Sequence, residues 1–185
     1  MGTTVFEDDV RINGNLTIGG TNPVINRSDL VQDNLAKYAI PWTAWRVWDA
    51  FQTNLPGTPL TDDLGLVGGT FGTNAPSLQT EDLKAAGATN NYARCMMTLP
   101  AEYVSGETVK LRFEAGMKTT LSDTTATLDC VVHESDLDDT VSADLVTTAA
   151  TTINTLVPTM STVDFSVTAT ALVAGDILDI RIQTA

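Results

Sequence analysis

The chain has 185 residues, of which 43% are hydrophobic and 18% are charged, so it suits a folded domain of ordinary size rather than a disordered segment. Ten basic against 23 acidic residues give a formal net charge of −13, which repels nucleic-acid phosphates and anionic lipid surfaces. Because no apolar run is long enough to cross a bilayer and residues 1–4 carry no leader-like pattern, we expect neither a nucleic-acid partner nor a membrane.

The first predicted element is an extended N-terminal β arm, residues 1–27. Its residues 10–18 alternate apolar and polar side chains, and the apolar ones share one face: Val10, Ile12, Leu16 and Ile18. Burying these side chains contributes roughly 6–12 kcal/mol, whereas ordering the backbone of the segment costs roughly 9–18 kcal/mol. This comparison predicts an arm that packs against neighbouring chains. An ordinary first hairpin of a monomeric sheet is the alternative.

A sandwich domain is predicted over residues 28–185. It begins with a short helix candidate, in which Asp29 and Gln32 have the spacing of a capping box and which Pro41 ends. The rest of its first part, residues 40–90, is rich in Gly, Pro, Thr and Asn and contains one strand-like patch at residues 64–72. We therefore expect long connections there rather than regular structure.

The loop-rich part contains every tryptophan of the chain, and Trp42, Trp45 and Trp48 lie within seven residues. Their spacing fits one face of a helix, while the flanking residues fit a strand equally well. Because each indole can bury about 150–250 Å², we predict a role in the core or in a subunit contact. A platform for stacking sugars is the alternative. With the four apolar arm residues, these tryptophans form the predicted oligomer or capsid contact.

Residues 91–185 have the pattern of regular strands separated by turns. The predicted strands are 92–99, 108–117, 125–133, 146–153, 163–169 and 177–184, of which 146–153 also fits a helix face. Their Thr- and Val-rich composition and even spacing predict an all-β, antiparallel, jelly-roll-like β-sandwich with at most one short helix.

An internal repeat supports the sandwich. Residues 103–113 and 172–182 share an apolar stretch, a Gly-acid turn and an alternating strand. Gly106 and Gly175 are predicted to have positive φ in these turns, and Arg112 and Arg181 to face away from the apolar side of each strand. Two such turns are expected where related strands enter facing sheets.

The residues with catalytic or ligating chemistry are few. His133 is the only histidine and has no nucleophile motif near it. The densest carboxylate group, Asp136, Asp138 and Asp139 followed by Asp144, lacks EF-hand spacing, so we interpret it as a solvated loop, with a cation site as the alternative. We expect no enzymatic activity, no metal and no cofactor.

The two cysteines, Cys95 and Cys130, lie in apolar strand-like stretches and form no CxxC pair. Two cysteines are too few for a disulfide framework in a chain of this length, so we predict buried free thiols. A single bridge between them is the alternative.

The alternating, Gly-punctuated residues 10–20 resemble the openings of tailed-bacteriophage virion proteins, and the Gly-acid turns resemble strand entries of phage jelly-roll domains. Over nearly its whole length the chain resembles a virion structural protein, most closely a capsid decoration or cement protein. The resemblance implies a homotrimer that is made in the host cytoplasm and holds major capsid protein subunits together on the capsid exterior. A trimeric head-spike or tail-fibre protein that binds a receptor or glycan is the alternative.

Overall fold

Antiparallel strands make up the regular structure of residues 37–81, 89–118, 126–135, 140–155 and 159–185, which are the residues described by this computed structural model. The strands are β1 (Gly65–Val67), β2 (Ser77–Gln79), β3 (Asn91–Thr98), β4 (Val109–Ala115), β5 (Thr127–Ser135), β6 (Thr151–Thr152), β7 (Ser161–Val167) and β8 (Ile177–Thr184). The described chain adds only one 3₁₀ turn, Trp42–Ala44, so the predicted all-β class is confirmed.

The strands form a four-stranded sheet in the order β3-β8-β5-β6, a two-stranded sheet β4-β7, and a separate hairpin β1-β2. Consecutive strands β3, β4 and β5 alternate between the two larger sheets, and the last strand, β8, lies between β3 and β5. This crossing order is jelly-roll-like. Isolated bridges extend both sheets, with Arg46 beside Arg94 of β3 and Val146 beside Val167 of β7.

Alternation along the strands builds the core. In β8, Leu178, Ile180 and Ile182 are at most 4% exposed, whereas Asp179 and Arg181 lie on the other face of the sheet. The core also receives side chains from β3, β4, β5 and β7 and from the segments before β1. Its largest fully buried side chains are Phe165, Leu64, Leu172, Leu178 and Ile180.

The repeated turns have the predicted conformation. Gly106 has φ +88° before β4, and Gly175 has φ +99° before β8. The two strands belong to different sheets, as the repeat predicts. The turns also contact each other, because Ser105 Oγ donates a hydrogen bond to the Leu172 carbonyl oxygen at 2.9 Å.

The predicted strand at residues 146–153 is largely wrong. Only Thr151–Thr152 forms strand structure there, beside β5. In this segment side chains accept some of the hydrogen bonds that a neighbouring strand's carbonyl groups would accept in a sheet. Asp144 Oδ1 accepts from the Val146 amide at 2.9 Å, and Thr148 Oγ1 accepts from the Ser166 amide at 2.9 Å. Such side-chain bonds compete with sheet pairing. The other five predicted strands are present: the bounds of 177–184 match β8, and the ends of the other four are displaced by one or two residues.

Three predictions lie outside the described residues. They are the arm, residues 1–27, the first part of the short helix candidate, and the acidic loop with Asp136, Asp138 and Asp139. Ala36–Ala185 forms one compact unit. No helix in the described ranges is long and apolar enough to span a membrane.

Candidate functional site

The tryptophan segment combines a 3₁₀ turn with an extended stretch, so neither a single helical face nor a single strand describes it. Pro41 precedes the turn, and Arg46 then exchanges backbone hydrogen bonds with Arg94 of β3 at 2.8 and 3.0 Å. The three indoles consequently reach different environments. Trp45 is 4% exposed, Trp48 is half-buried, and Trp42 is 46% exposed. They do not form one exposed platform.

Trp45 packs into the core of the sandwich. Its ring lies 6.3 Å from the Phe113 ring of β4, which in turn lies 6.0 Å edge-on from Phe165 of β7. Trp45 adjoins β3 through its neighbour Arg46, so its side chain links the two larger sheets. The prediction that the cluster contributes to the core is confirmed for this residue.

Trp48 belongs to an arginine–aromatic layer, which we define as Trp48, Phe51, Tyr92, Arg94 and Arg181 on the outer face of β3 and β8. The Trp48 ring contacts the Tyr92 ring in a tilted arrangement, with ring centroids 4.9 Å apart and an interplanar angle of 42°. The Arg181 guanidinium lies 5.2 Å from the Tyr92 ring and 5.9 Å from the Trp48 ring, and Arg94 lies 5.1 Å from the Phe51 ring. These are cation–π distances.

The layer places two like charges directly opposite each other, since Arg94 pairs in register with Arg181. Directly opposed like charges destabilise a sheet unless each has a partner. Arg94 has Asp179, which accepts hydrogen bonds from its Nε at 2.7 Å and from its Nη2. Arg181 has the two aromatic rings instead. The arrangement therefore explains why both arginines are tolerated on one face.

Polar atoms without partners lie near this layer. Within the described residues, four buried side-chain atoms have no hydrogen-bond partner: Trp48 Nε1, Asp63 Oδ1, Asn91 Oδ1 and Arg181 Nε. Burial raises the pKa of Asp63, as do the nearby charges of Asp62 and Asp49, while a hydrogen bond from the Trp48 backbone N–H opposes the rise. Burial and the neighbouring carboxylates therefore both favour the protonated form of Asp63.

His133 and Asp144 hold a segment of chain beside β5. The His133 Nδ1–H donates to the Ser142 carbonyl oxygen at 2.8 Å, since a carbonyl can only accept. Asp144 Oδ1 accepts from the amides of Val132 at 3.1 Å and Val146 at 2.9 Å. Both side chains thus anchor backbone. Across the described ranges, including this segment, no group of three or more His, Cys, Asp or Glu residues is placed to hold a metal ion.

The cysteines are buried free thiols, as predicted. Cys95 lies on β3 and Cys130 on β5, and β8 runs between these strands. Burial raises the pKa of Cys95 to about 12 and raises the pKa of Cys130 as well. Because the thiolate is the reactive form, neither group is suited to nucleophilic or redox chemistry.

The two repeated turns each present an exposed apolar side chain. Val104 is 53% exposed and Val173 is 49% exposed at equivalent positions of the repeat. Tyr38, itself 52% exposed, donates a hydrogen bond from its hydroxyl to Glu102 Oε2 at 3.3 Å. We call Tyr38, Val104 and Val173 the turn surface.

Phe71 is another exposed apolar residue, and it was not among the predicted contact residues. Phe71 lies between β1 and β2 and is fully exposed. The available signal was a single aromatic residue set among Gly68, Gly69 and Gly72 in an uncharged stretch. A side chain with 103% relative exposure gains nothing from the fold that carries it.

Three comparisons with known proteins gave no match, either to a family model, to a curated protein or to a solved structure.

Proposed function

We propose that this chain is a structural virion protein of a tailed bacteriophage, a decoration or cement protein that binds the capsid exterior as a homotrimer. The observation that carries the proposal is the turn surface. Two equivalent turns, joined by the hydrogen bond from Ser105 to Leu172, present Val104 and Val173 to solvent at one end of a jelly-roll-like sandwich. Exposed apolar positions grouped in this way favour contact with another macromolecule.

The predicted arm supports the same role. Burying its four apolar side chains contributes less free energy than ordering its backbone costs in an isolated chain. Contact with a neighbouring subunit or with the major capsid protein gives these side chains the further burial that they need.

The action proposed is stabilisation by binding. A protein that binds the expanded shell and not its precursor shifts the equilibrium toward the expanded shell by mass action. Three linked copies add avidity without any catalytic step. The net charge of −13 fits an outward face that repels other particles.

The test uses shells from particles that lack this protein. We expect the full chain to co-sediment with expanded shells and to raise their unfolding temperature. Deleting residues 1–20 is expected to leave the sandwich folded, as measured by circular dichroism, and to abolish both trimer formation and shell binding. A truncated chain that still forms trimers and binds shells would show that the arm is not the contact.

The exposure of Trp42 keeps a second candidate open, a head-spike or fibre tip that binds a glycan. Saturable binding on a glycan array that is lost in Trp42→Ala would favour it over the decoration role. Trp45→Ala is not informative there, because Trp45 is buried in the core.

A further inference from the structure

The hairpin β1-β2 ends in a loop whose shape is fixed by its own hydrogen bonds. The Thr70 carbonyl oxygen accepts from the amides of Thr73 at 2.9 Å and Asn74 at 3.2 Å. Asn74 Oδ1 accepts from the amides of Gly69 at 3.3 Å and Thr70 at 3.1 Å. This side chain therefore spans the loop and holds Phe71 at its apex.

Glycines make this conformation accessible. Gly68 has φ +100°, and a Cβ there would lie 2.7 Å from the Ala75 carbonyl oxygen. Gly69 and Gly72 also have positive φ, at +108° and +77°. A loop fixed in this way holds the Phe71 side chain away from the sandwich, and its backbone has little entropy left to lose on binding.

The base of the hairpin is held to the rest of the domain by a hydrogen bond and by burial, whereas its apex is exposed. Leu64, just before β1, is 2% exposed and donates its amide hydrogen to the Tyr92 carbonyl oxygen at 2.8 Å. Leu66 and Leu78, which pair across the hairpin, pack against the core. The hairpin is therefore anchored to the sandwich at its base.

The charge distribution indicates what covers Phe71. No charged residue occurs between Asp63 and Glu81, although the whole chain carries a net charge of −13. The apex offers no carboxylate to a basic partner and no Lys or Arg to an anionic lipid headgroup. A second copy of the same chain is repelled by most of this acidic surface, and an uncharged apolar apex is where two copies can meet without that repulsion.

We propose that Phe71 is a contact between copies of this chain, in which the hairpin apices of neighbouring subunits pack together at a symmetry axis. The inference rests on the proposed function only in requiring a homo-oligomer. Because side chains close to a symmetry axis meet their own equivalents, each Phe71 ring is buried against the Phe71 rings of neighbouring subunits. Off-set or edge-to-face packing of the rings suits this geometry.

The first experiment uses the purified full chain without shells. Sedimentation equilibrium of Phe71→Ala is expected to show self-association weakened by about tenfold to a hundredfold, which corresponds to the loss of one buried aromatic side chain per subunit. Asn74→Ala, which frees the loop but keeps the ring, is expected to weaken it less. Val141→Ala is the matched control, because Val141 is 61% exposed elsewhere on the surface, and it should leave self-association unchanged.

The second experiment tests the symmetric contact directly. Both native cysteines are buried, at 0% and 2% exposure, so the thiol introduced by Phe71→Cys is the accessible one. Mild oxidation is expected to give a covalent dimer that reductant reverses. Val141→Cys should remain monomeric on a denaturing gel.

Several outcomes would overturn the proposal. They are a wild-type chain that stays monomeric, self-association of Phe71→Ala that equals wild type, or no covalent dimer from Phe71→Cys. If Phe71→Ala associates normally but no longer binds shells, Phe71 contacts the shell, and the self-contact is wrong while the decoration role stands. Flotation with phosphatidylcholine vesicles that is lost in Phe71→Ala would make the ring a lipid anchor instead.

Discussion

Ser105 Oγ donates a hydrogen bond to the Leu172 carbonyl oxygen at 2.9 Å, and this bond joins two turns that are 67 residues apart in the chain. Each turn has the same glycine conformation and leads into a strand of a different sheet. The two copies of the internal repeat therefore resemble each other in sequence and also contact each other. Their contact holds together one end of the sandwich.

Gly175→Ala is expected to lower the free energy of unfolding by about 1–2 kcal/mol, because its φ of +99° places a Cβ in the left-handed region. Gly57→Ala is the matched control. Gly57 has no positive φ and nothing within 4 Å of an added Cβ, so this change should be neutral or slightly stabilising through the unfolded state. Urea denaturation of both variants measures the difference, and equal losses would contradict the role of the turn.

Trp45→Ala is expected to cost about 3–5 kcal/mol of unfolding free energy, as for other large core side chains. Trp42→Ala should cost less than about 1 kcal/mol, since substitutions at exposed sites usually have small effects. Denaturation followed by circular dichroism avoids the loss of the fluorescent group. Similar losses in the two variants would show that the indoles share one environment.

The raised pKa of Asp63 predicts that the stability of the fold depends on pH. Its pKa in the folded chain is raised above 3.8 by burial, so the folded chain retains a proton that the unfolded chain has released. Asp63 therefore stabilises the folded chain most at low pH, where it is protonated. The difference in unfolding free energy, wild type minus Asp63→Asn, should fall as the pH rises from 3.8 through the raised pKa. Urea titrations across acidic and neutral pH measure this difference.

Asp164→Asn provides a control of opposite sign. The hydrogen bond from Arg112 lowers the pKa of Asp164, so the stability due to Asp164 is present above pH 3.8 and is lost as the pH falls through the lowered pKa. The advantage of wild type over Asp164→Asn should consequently grow with rising pH. Parallel trends in the two variants would refute the assignment for Asp63.

Cys95 and Cys130 should resist alkylation in the folded chain. Burial raises the pKa of Cys95 to about 12 and also raises that of Cys130, so little thiolate forms at mildly alkaline pH. Intact-mass spectrometry after treatment with iodoacetamide is expected to show the unmodified chain, and both thiols should be labelled in urea. Rapid labelling without denaturant would mean that the larger sheet opens readily.

The regular half of the fold was predictable because its signals are local. Leu178, Ile180 and Ile182 alternate with polar residues, and Gly175 marks the turn before them. These patterns fixed the parity of β8 without knowledge of its neighbours. The all-β class followed from six predicted strands of this kind, five of which are present.

The environments of individual aromatic residues were less predictable, because exposure depends on tertiary neighbours. The spacing of Trp42, Trp45 and Trp48 is compatible with a shared face, yet the bridge between Arg46 and Arg94 extends the backbone and separates the three indoles. Phe71 was missed because a lone aromatic residue in a loop gives no periodic signal. Only the hydrogen bonds of Asn74 show that the loop holds its ring outward.

The position of β8 also constrains when the protein can fold. β8 follows β3 and β5 in the chain and pairs with both, so these two pairings cannot form until residues 177–184 have been made. During translation the edges of β3 and β5 that β8 covers in the folded chain therefore stay unpaired, and such edges are open to pairing with other chains. Acidic side chains distributed along the chain can keep such nascent chains apart during this interval.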